Sequence, residues 1–107
     1  MQQDAIRAAV AAARWVMTHH ALQQSGSRRM GSGEIAHALA GCEVLEDYPN
    51  DPRGESALVL GYTAAHRPIH AVCTFDPSGS LVIITVYDPG MPWWLDERTR
   101  APGGGTP

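Results

Sequence analysis

The chain has no lysine, since all eight of its basic residues are arginine, and its 11 acidic residues leave a net charge of −3. This balance lacks the excess of positive charge that is typical of nucleic-acid-binding domains. Contact with RNA or DNA would therefore depend on a local patch. The arginines available for such a patch are Arg28, Arg29, Arg53 and Arg67.

Cysteine and long apolar runs are also scarce. Cys42 and Cys73 form no CxxC pair, which argues against a zinc site or a disulfide framework, so we expect two reduced, buried thiols. No apolar run approaches the ~20 residues that span a bilayer, and Asp4 is unlike the start of a signal peptide. Walker, GxGxxG and HExxH motifs are absent. We expect a cytoplasmic protein that uses no membrane, metal or cofactor.

Both of the helices that the sequence predicts precede the strands. Apolar residues at steps of three and four predict one amphipathic helix over residues 4–24. This helix would place His19 and His20 in its last turn, where the helix dipole favours them. Ser32 is a typical N-cap and Gly41 a typical C-terminal glycine, so we expect a second helix over residues 32–40.

Stretches rich in β-branched and aromatic residues predict strands over residues 56–62, 69–75 and 81–87, with a short edge strand over 43–46. Consecutive strands with short turns form an antiparallel meander. The predicted fold class is α+β, with two N-terminal helices packed on a three- to four-stranded antiparallel sheet. We expect one domain over residues 1–98 and a disordered, glycine-rich tail over 99–107. Residues 93–98 suit either a short helix or an arm that lies back over the sheet.

The register of the hairpin over residues 69–87 decides which polar side chains meet. If residues 76–79 form a four-residue loop, His70 lies opposite Thr85 with Tyr87 diagonally near, and the other face is entirely apolar. If Gly79 takes the left-handed position of a bulged type I turn, His70 lies opposite Val86. The turn residues suit the bulged form, whereas the apolar face favours the first, which we prefer.

In the preferred register, an imidazole and a phenol lie within reach of each other on the open sheet face. Such a pair could carry out general acid–base chemistry. Cross-strand polar pairs are, however, common in sheets that catalyse nothing. These residues alone therefore leave a catalytic and a purely structural interpretation open.

Four stretches together resemble the DUF4258 family: GCEVLEDYPNDPRG over residues 41–54, LVLG over 58–61, RPIH over 67–70 and IITVYDP over 83–89. The function of this family is poorly defined, and its architecture resembles that of RelE/ParE-like toxins. The resemblance extends over about residues 19–95 and includes a His-Ala pair, here His20 and Ala21. An arginine that follows this pair in the family is missing, since Gln23 and Gln24 stand in that region.

The toxin-like resemblance implies metal-independent RNA cleavage. A base takes the 2′-OH proton, the oxygen attacks the adjacent phosphate, and an acid protonates the leaving 5′-oxygen. The resemblance also implies RNA as the substrate and an antitoxin protein as a partner. The residues that it assigns to catalysis are His70, Tyr87, His20 and Thr85, and those that it assigns to phosphate binding are Arg28, Arg29 and Arg67.

Two further interpretations compete with a nuclease: a non-catalytic protein-binding module, and a toxin relative without activity. Three features suit a protein that binds another protein: the negative net charge, the missing arginine, and the adjacent Trp93 and Trp94. A basic patch that joins the three arginines beside His70 would favour the nuclease. A hydrophobic groove around the two tryptophans, with scattered arginines, would favour the binding module.

Overall fold

The computed structural model describes residues 1–52, 54–103 and 105. Arg53, which the sequence offers for a basic patch, lies outside the described residues, as do residues 104, 106 and 107 of the predicted tail. The helices are α1 (Gln3–Ala11), α2 (His19–Ser27) and α3 (Ser32–Ala40). The strands are β1 (Trp15–Met17), β2 (Glu43–Tyr48), β3 (Ser56–Tyr62), β4 (Pro68–Phe75) and β5 (Leu81–Tyr87).

The strands form one sheet in the order β1-β5-β4-β3-β2. Strands β2 to β5 pair as an antiparallel meander, and β1 pairs with β5 in parallel. The α+β class is therefore confirmed. The finer prediction of two helices on a purely antiparallel sheet of three to four strands is wrong, because the described chain has three helices and a mixed sheet of five strands.

The single helix predicted over residues 4–24 is interrupted by β1. The open edge of β5 offers backbone partners to this segment: Leu81 donates to the carbonyl of Arg14 at 2.9 Å, and Thr18 donates to that of Ile83 at 3.0 Å. Tertiary pairing thus outweighs the helix propensity of the alanine-rich stretch. The Thr18 hydroxyl then caps α2 by accepting from the backbone N–H of Ala21 at 3.1 Å.

The helices bury the larger core against one face of the sheet. Ile6 from α1, Ile35 from α3 and Ile83 from β5 are fully buried there. Helix α3 approaches the sheet closely at Gly61, where an added Cβ would lie 2.2 Å from the carbonyl oxygen of Ala38. Only glycine fits this approach, because any side chain would meet backbone.

The other face of the sheet is covered by residues 90–101, which we call the strap. The strap folds back on itself, since Leu95 donates to the carbonyl of Thr99 at 2.8 Å and Ala101 to that of Trp93 at 2.9 Å. The arm predicted for residues 93–98 is therefore confirmed over the alternative of a short helix. The boundary at residue 98 stays a prediction. None of the described helices is long and apolar enough to cross a membrane.

Candidate functional site

The hairpin of β4 and β5 contains two irregularities. At the turn, Gly79 has φ +87° and donates to the carbonyl of Asp76 at 3.0 Å, while Asp76 donates to that of Ser80 at 2.9 Å. This is the bulged turn, so the four-residue loop preferred from patterning is wrong. A second register shift leaves Ile84 without a partner on β4 and brings Tyr87 directly opposite His70.

Helix α2 stabilises the second irregularity. The Thr18 hydroxyl donates to the carbonyl of Ile84 at 3.1 Å, and the Gln24 side-chain oxygen accepts from the backbone N–H of Val86 at 2.9 Å. Backbone groups that a bulge releases from the ladder need such partners. Gln24 therefore has a structural role in setting the register at Tyr87.

The result is a buried imidazole–phenol pair, since His70 and Tyr87 are both 0% exposed. His70 Nε2 lies 2.7 Å from the carbonyl oxygen of Glu97, and Nδ1 lies 3.2 Å from the Tyr87 hydroxyl. A carbonyl can only accept, so in the neutral ring Nε2 carries the proton and Nδ1 accepts from the phenol. Trp94 Nε1 donates to the same hydroxyl at 3.2 Å, so each polar atom has a partner.

Burial determines the protonation of both groups. It is the largest influence on His70, and it lowers the pKa of the imidazole by disfavouring the cation. Burial likewise raises the pKa of Tyr87. The pair is therefore a neutral imidazole beside a protonated phenol, and burial opposes transfer of the proton from Tyr87 Oη to His70 Nδ1, because both groups would then be charged.

The strap closes this pair from solvent and is fastened to the edge strand β2. Arg98 donates to Glu43 at 2.5 Å, and Arg100 makes two contacts of 2.7 Å with the Glu46 carboxylate. These guanidinium groups lower the pKa of both glutamates. Arg100 also lies 4.7 Å from the centroid of the Trp94 ring, in a cation–π arrangement. The ion pairs therefore fix the strap over the pair.

The side chain of Arg67 contacts the C-terminal end of α2 at the backbone carbonyls of Arg28 and Arg29, the other two arginines predicted to bind phosphate. Arg67 donates to the carbonyls of Arg28 at 2.7 Å and Arg29 at 3.2 Å, and it pairs with Asp88 through contacts of 2.8 and 3.0 Å. Asp88 offsets the positive charge of this group. The cluster contacts the helix side of the sheet, whereas His70 faces the strap.

The remaining predicted residues do not join the pair. Thr85 is half-buried and lies opposite Val72, two residues before Tyr87 on the same strand. His20 is exposed in the first turn of α2, and no hydrogen bond or ring contact among the described residues joins it to His70. The structure therefore brings together His70 and Tyr87, while the roles assigned to all seven residues stay predictions.

The sequence analysis missed the side chains that enclose the pair, among them Glu46 and Arg100. A signal was available, because two glutamates on the predicted edge strand and two arginines after Trp94 are complementary in charge. Among the described residues, no cluster of His, Cys, Asp or Glu is suited to hold a metal ion. A surface cavity of about 770 Å³ borders Met1, Glu55 and Phe75, and His70 does not line it.

Comparison with known proteins identifies one family. A family model described as a domain of unknown function (DUF4258) matches residues 17–88, which is more than half of the chain. No curated protein and no solved structure matches the chain. The matched segment includes the imidazole–phenol pair and leaves the strap outside. The family resemblance seen in the sequence is confirmed, and the likeness to RelE/ParE-like toxins stays a prediction.

Proposed function

The chain belongs to the DUF4258 family, and we propose that it is a non-catalytic module that binds another protein on the strap side of the sheet. The observation that carries the proposal is the complete burial of the imidazole–phenol pair. His70 and Tyr87 are the groups that acid–base catalysis would use, and their polar atoms face partners within the chain. A substrate at the surface reaches neither group.

The charge distribution supports the same conclusion. RNA cleavage requires positive charge where the phosphate binds. Arg67 is paired with Asp88 on the helix side, while Arg98 and Arg100 are each paired with a glutamate on the strap side. These three arginines are thus ion-paired and divided between the two sides of the sheet, as expected for a binding module.

The side chains of the strap suit a segment that a partner protein can displace from the sheet. It inserts Trp94 into the sheet face but leaves Met91 70% and Leu95 56% exposed. Contiguous exposed apolar surface is typical of sites that bind protein, and these two exposed side chains lie four residues apart on one segment. The family resemblance makes an antitoxin protein the first candidate partner.

The test compares two arginine variants in a complex reconstituted from purified partner and purified chain. Arg100→Ala removes a fastening of the strap, so partner affinity is expected to rise about tenfold, or about 1.4 kcal/mol. Arg14→Ala is the matched control, since its guanidinium also contacts the chain, at the carbonyl of Ser78, away from the strap. Equal affinities for both variants and the intact chain would contradict the proposal.

A second candidate is metal-independent RNA cleavage, which the 3.2 Å contact between His70 and Tyr87 favours. With the strap displaced, the neutral imidazole would be suited to take the 2′-OH proton and Tyr87 to orient it. RNA would then be the ligand, and Arg28 and Arg29, which lie on the other side of the sheet from His70, would contact its backbone away from the cleaved phosphate.

Growth arrest and RNA cleavage distinguish the two functions. The binding module predicts that soluble, folded protein causes neither. The nuclease predicts that Arg98→Ala/Arg100→Ala, which loosens the strap, increases cleavage, and that adding His70→Ala abolishes it. Cleavage that survives His70→Ala would exclude this pair as the site.

A further inference from the structure

The strap occupies a groove that is apolar at its centre. The Trp94 ring packs with Leu58 and Tyr87 in a cluster separate from the main core. It also meets the His70 ring edge-on, with centroids 4.5 Å apart and planes at 89°. The groove therefore accepts a tryptophan at a defined position, with its indole N–H directed at the Tyr87 hydroxyl.

One edge of the groove is acidic. Glu43 and Glu46 lie on β2, and they accept from Arg98 and Arg100, which follow Trp94 by four and six residues. The chemistry of the native occupant is thus an aromatic anchor followed by two guanidinium groups. The acidic edge excludes an acidic segment, because two carboxylates would then be left unpaired.

The fastening of the strap is weak at its charged end. All four ion-paired side chains are partly exposed, and exposed ion pairs stabilise a structure little because solvent screens the charges. A segment of the same chemistry from another molecule would form equivalent contacts. Replacing the strap with that segment therefore costs little free energy, apart from the effective concentration that the strap gains from its covalent connection to the domain. A short flexible tether gives its segment an effective concentration on the order of millimolar.

We propose that this groove is a peptide-binding site for a partner segment that presents a tryptophan followed by arginines at the fourth and sixth positions, and that the strap occupies the site in cis. The inference rests on the proposed protein-binding function and names its site and ligand chemistry. Binding by a partner then requires displacement of the strap.

The experiment uses a fluorescently labelled peptide with the sequence of residues 90–103 and measures its anisotropy with the full chain. The chain carries Arg98→Ala/Arg100→Ala, which loosens the strap and leaves Glu43 and Glu46 in place. This variant is expected to bind the peptide at least about tenfold more tightly than the intact chain. Adding Glu43→Gln and Glu46→Gln to the chain is expected to reverse the gain.

Three controls keep the result decisive. Trp94→Ala in the chain provides a second loosened variant, and circular dichroism shows that each variant is folded. A peptide carrying Trp94→Ala is expected to bind at least about tenfold more weakly. No binding of the peptide to either folded, loosened variant at millimolar concentration, or equal binding of the two peptides, would overturn the proposal.

The experiments distinguish a failure of the peptide-binding groove from a failure of the proposed protein-binding function. If the peptide fails to bind while Arg100→Ala still strengthens the complex with a partner protein, the ligand chemistry is wrong and the binding function stands. If partner affinity is the same for Arg100→Ala and Arg14→Ala, the binding function itself fails.

Discussion

The stability of the domain should fall as the pH falls below about 6.5, because His70 is buried as the neutral imidazole. The folded-state pKa of His70 is lowered, with burial as the largest cause. The unfolded chain therefore binds a proton that the folded chain resists, and the free energy of unfolding declines as pH falls from the unfolded pKa of about 6.5 towards the lower folded value. One such group gives a slope of at most about 1.4 kcal/mol per pH unit.

The two hydrogen bonds of His70 act differently on an added proton, since the bond to the carbonyl of Glu97 favours the cation and the bond to Tyr87 opposes it. A proton on Nδ1 would place an N–H against the Tyr87 hydroxyl, which already accepts from Trp94. Charged groups act in both directions, since Glu46 from β2 and Glu97 from the strap favour the cation while Arg100 opposes it. Burial outweighs the favourable carboxylates, so the network favours the neutral ring.

Urea unfolding at several pH values between 7.5 and 5 measures this effect. The variant His70→Phe removes the titrating group, so it is expected to lose the slope while being less stable overall, because Tyr87 and the carbonyl of Glu97 lose their partner. His37→Ala, which alters an exposed histidine on α3, is expected to retain the slope. An unchanged slope in His70→Phe, or stability that rises on acidification, would refute the reasoning.

Two further predictions concern packing and thiol reactivity. Gly61→Ala is expected to lower the free energy of unfolding in urea by about 1–3 kcal/mol, because its Cβ would meet the carbonyl of Ala38. Gly26→Ala, which has open space around it in α2, is expected to raise that free energy by up to about 1 kcal/mol. Similar losses of stability in both variants would contradict the close approach at Gly61. Burial raises the pKa of Cys42 to about 11 and of Cys73 to about 12, so neither thiol should react with a disulfide reagent at pH 8 until the chain is unfolded, and rapid labelling of the folded chain would contradict this.

The predictions of helices and strands were correct where the residues of the element itself indicate its structure, and wrong where a distant segment determines it. Helix α3 was predicted with its observed bounds, and Gly41 follows its last residue as expected, but the N-cap is Gly31 and the prediction of Ser32 as N-cap is wrong, since Ser32 is the first helical residue. Strand β3 also matched, since its β-branched and apolar residues are read locally. The prediction of one helix over residues 4–24 was wrong because residues 15–17 pair as a strand with the edge of β5, about 65 residues away in sequence.

For the candidate site, the residue types were likewise recognisable from the sequence, whereas the contacts between distant segments were not. His70 and Tyr87 were recognisable as an imidazole and a phenol on neighbouring strands, but their direct opposition required the extra residue Ile84 in β5. That register depends on Thr18, the N-cap of α2, and on Gln24 within α2, which no pattern within the hairpin reveals. The enclosure by the strap was missed because its ion pairs join residues more than 50 positions apart.

Residue types and spacings along short stretches were sufficient to predict the family, the α+β class and the hairpin that carries the imidazole and the phenol, whereas they left a short helix and an arm both open for residues 93–98. Three features became evident only in the folded chain: the parallel edge strand, the register that places His70 opposite Tyr87, and the closure of that pair beneath Trp94. These features arise from backbone partners and opposite charges that come together only when distant segments pack, so they follow from the global balance of pairing and burial and have no local signature.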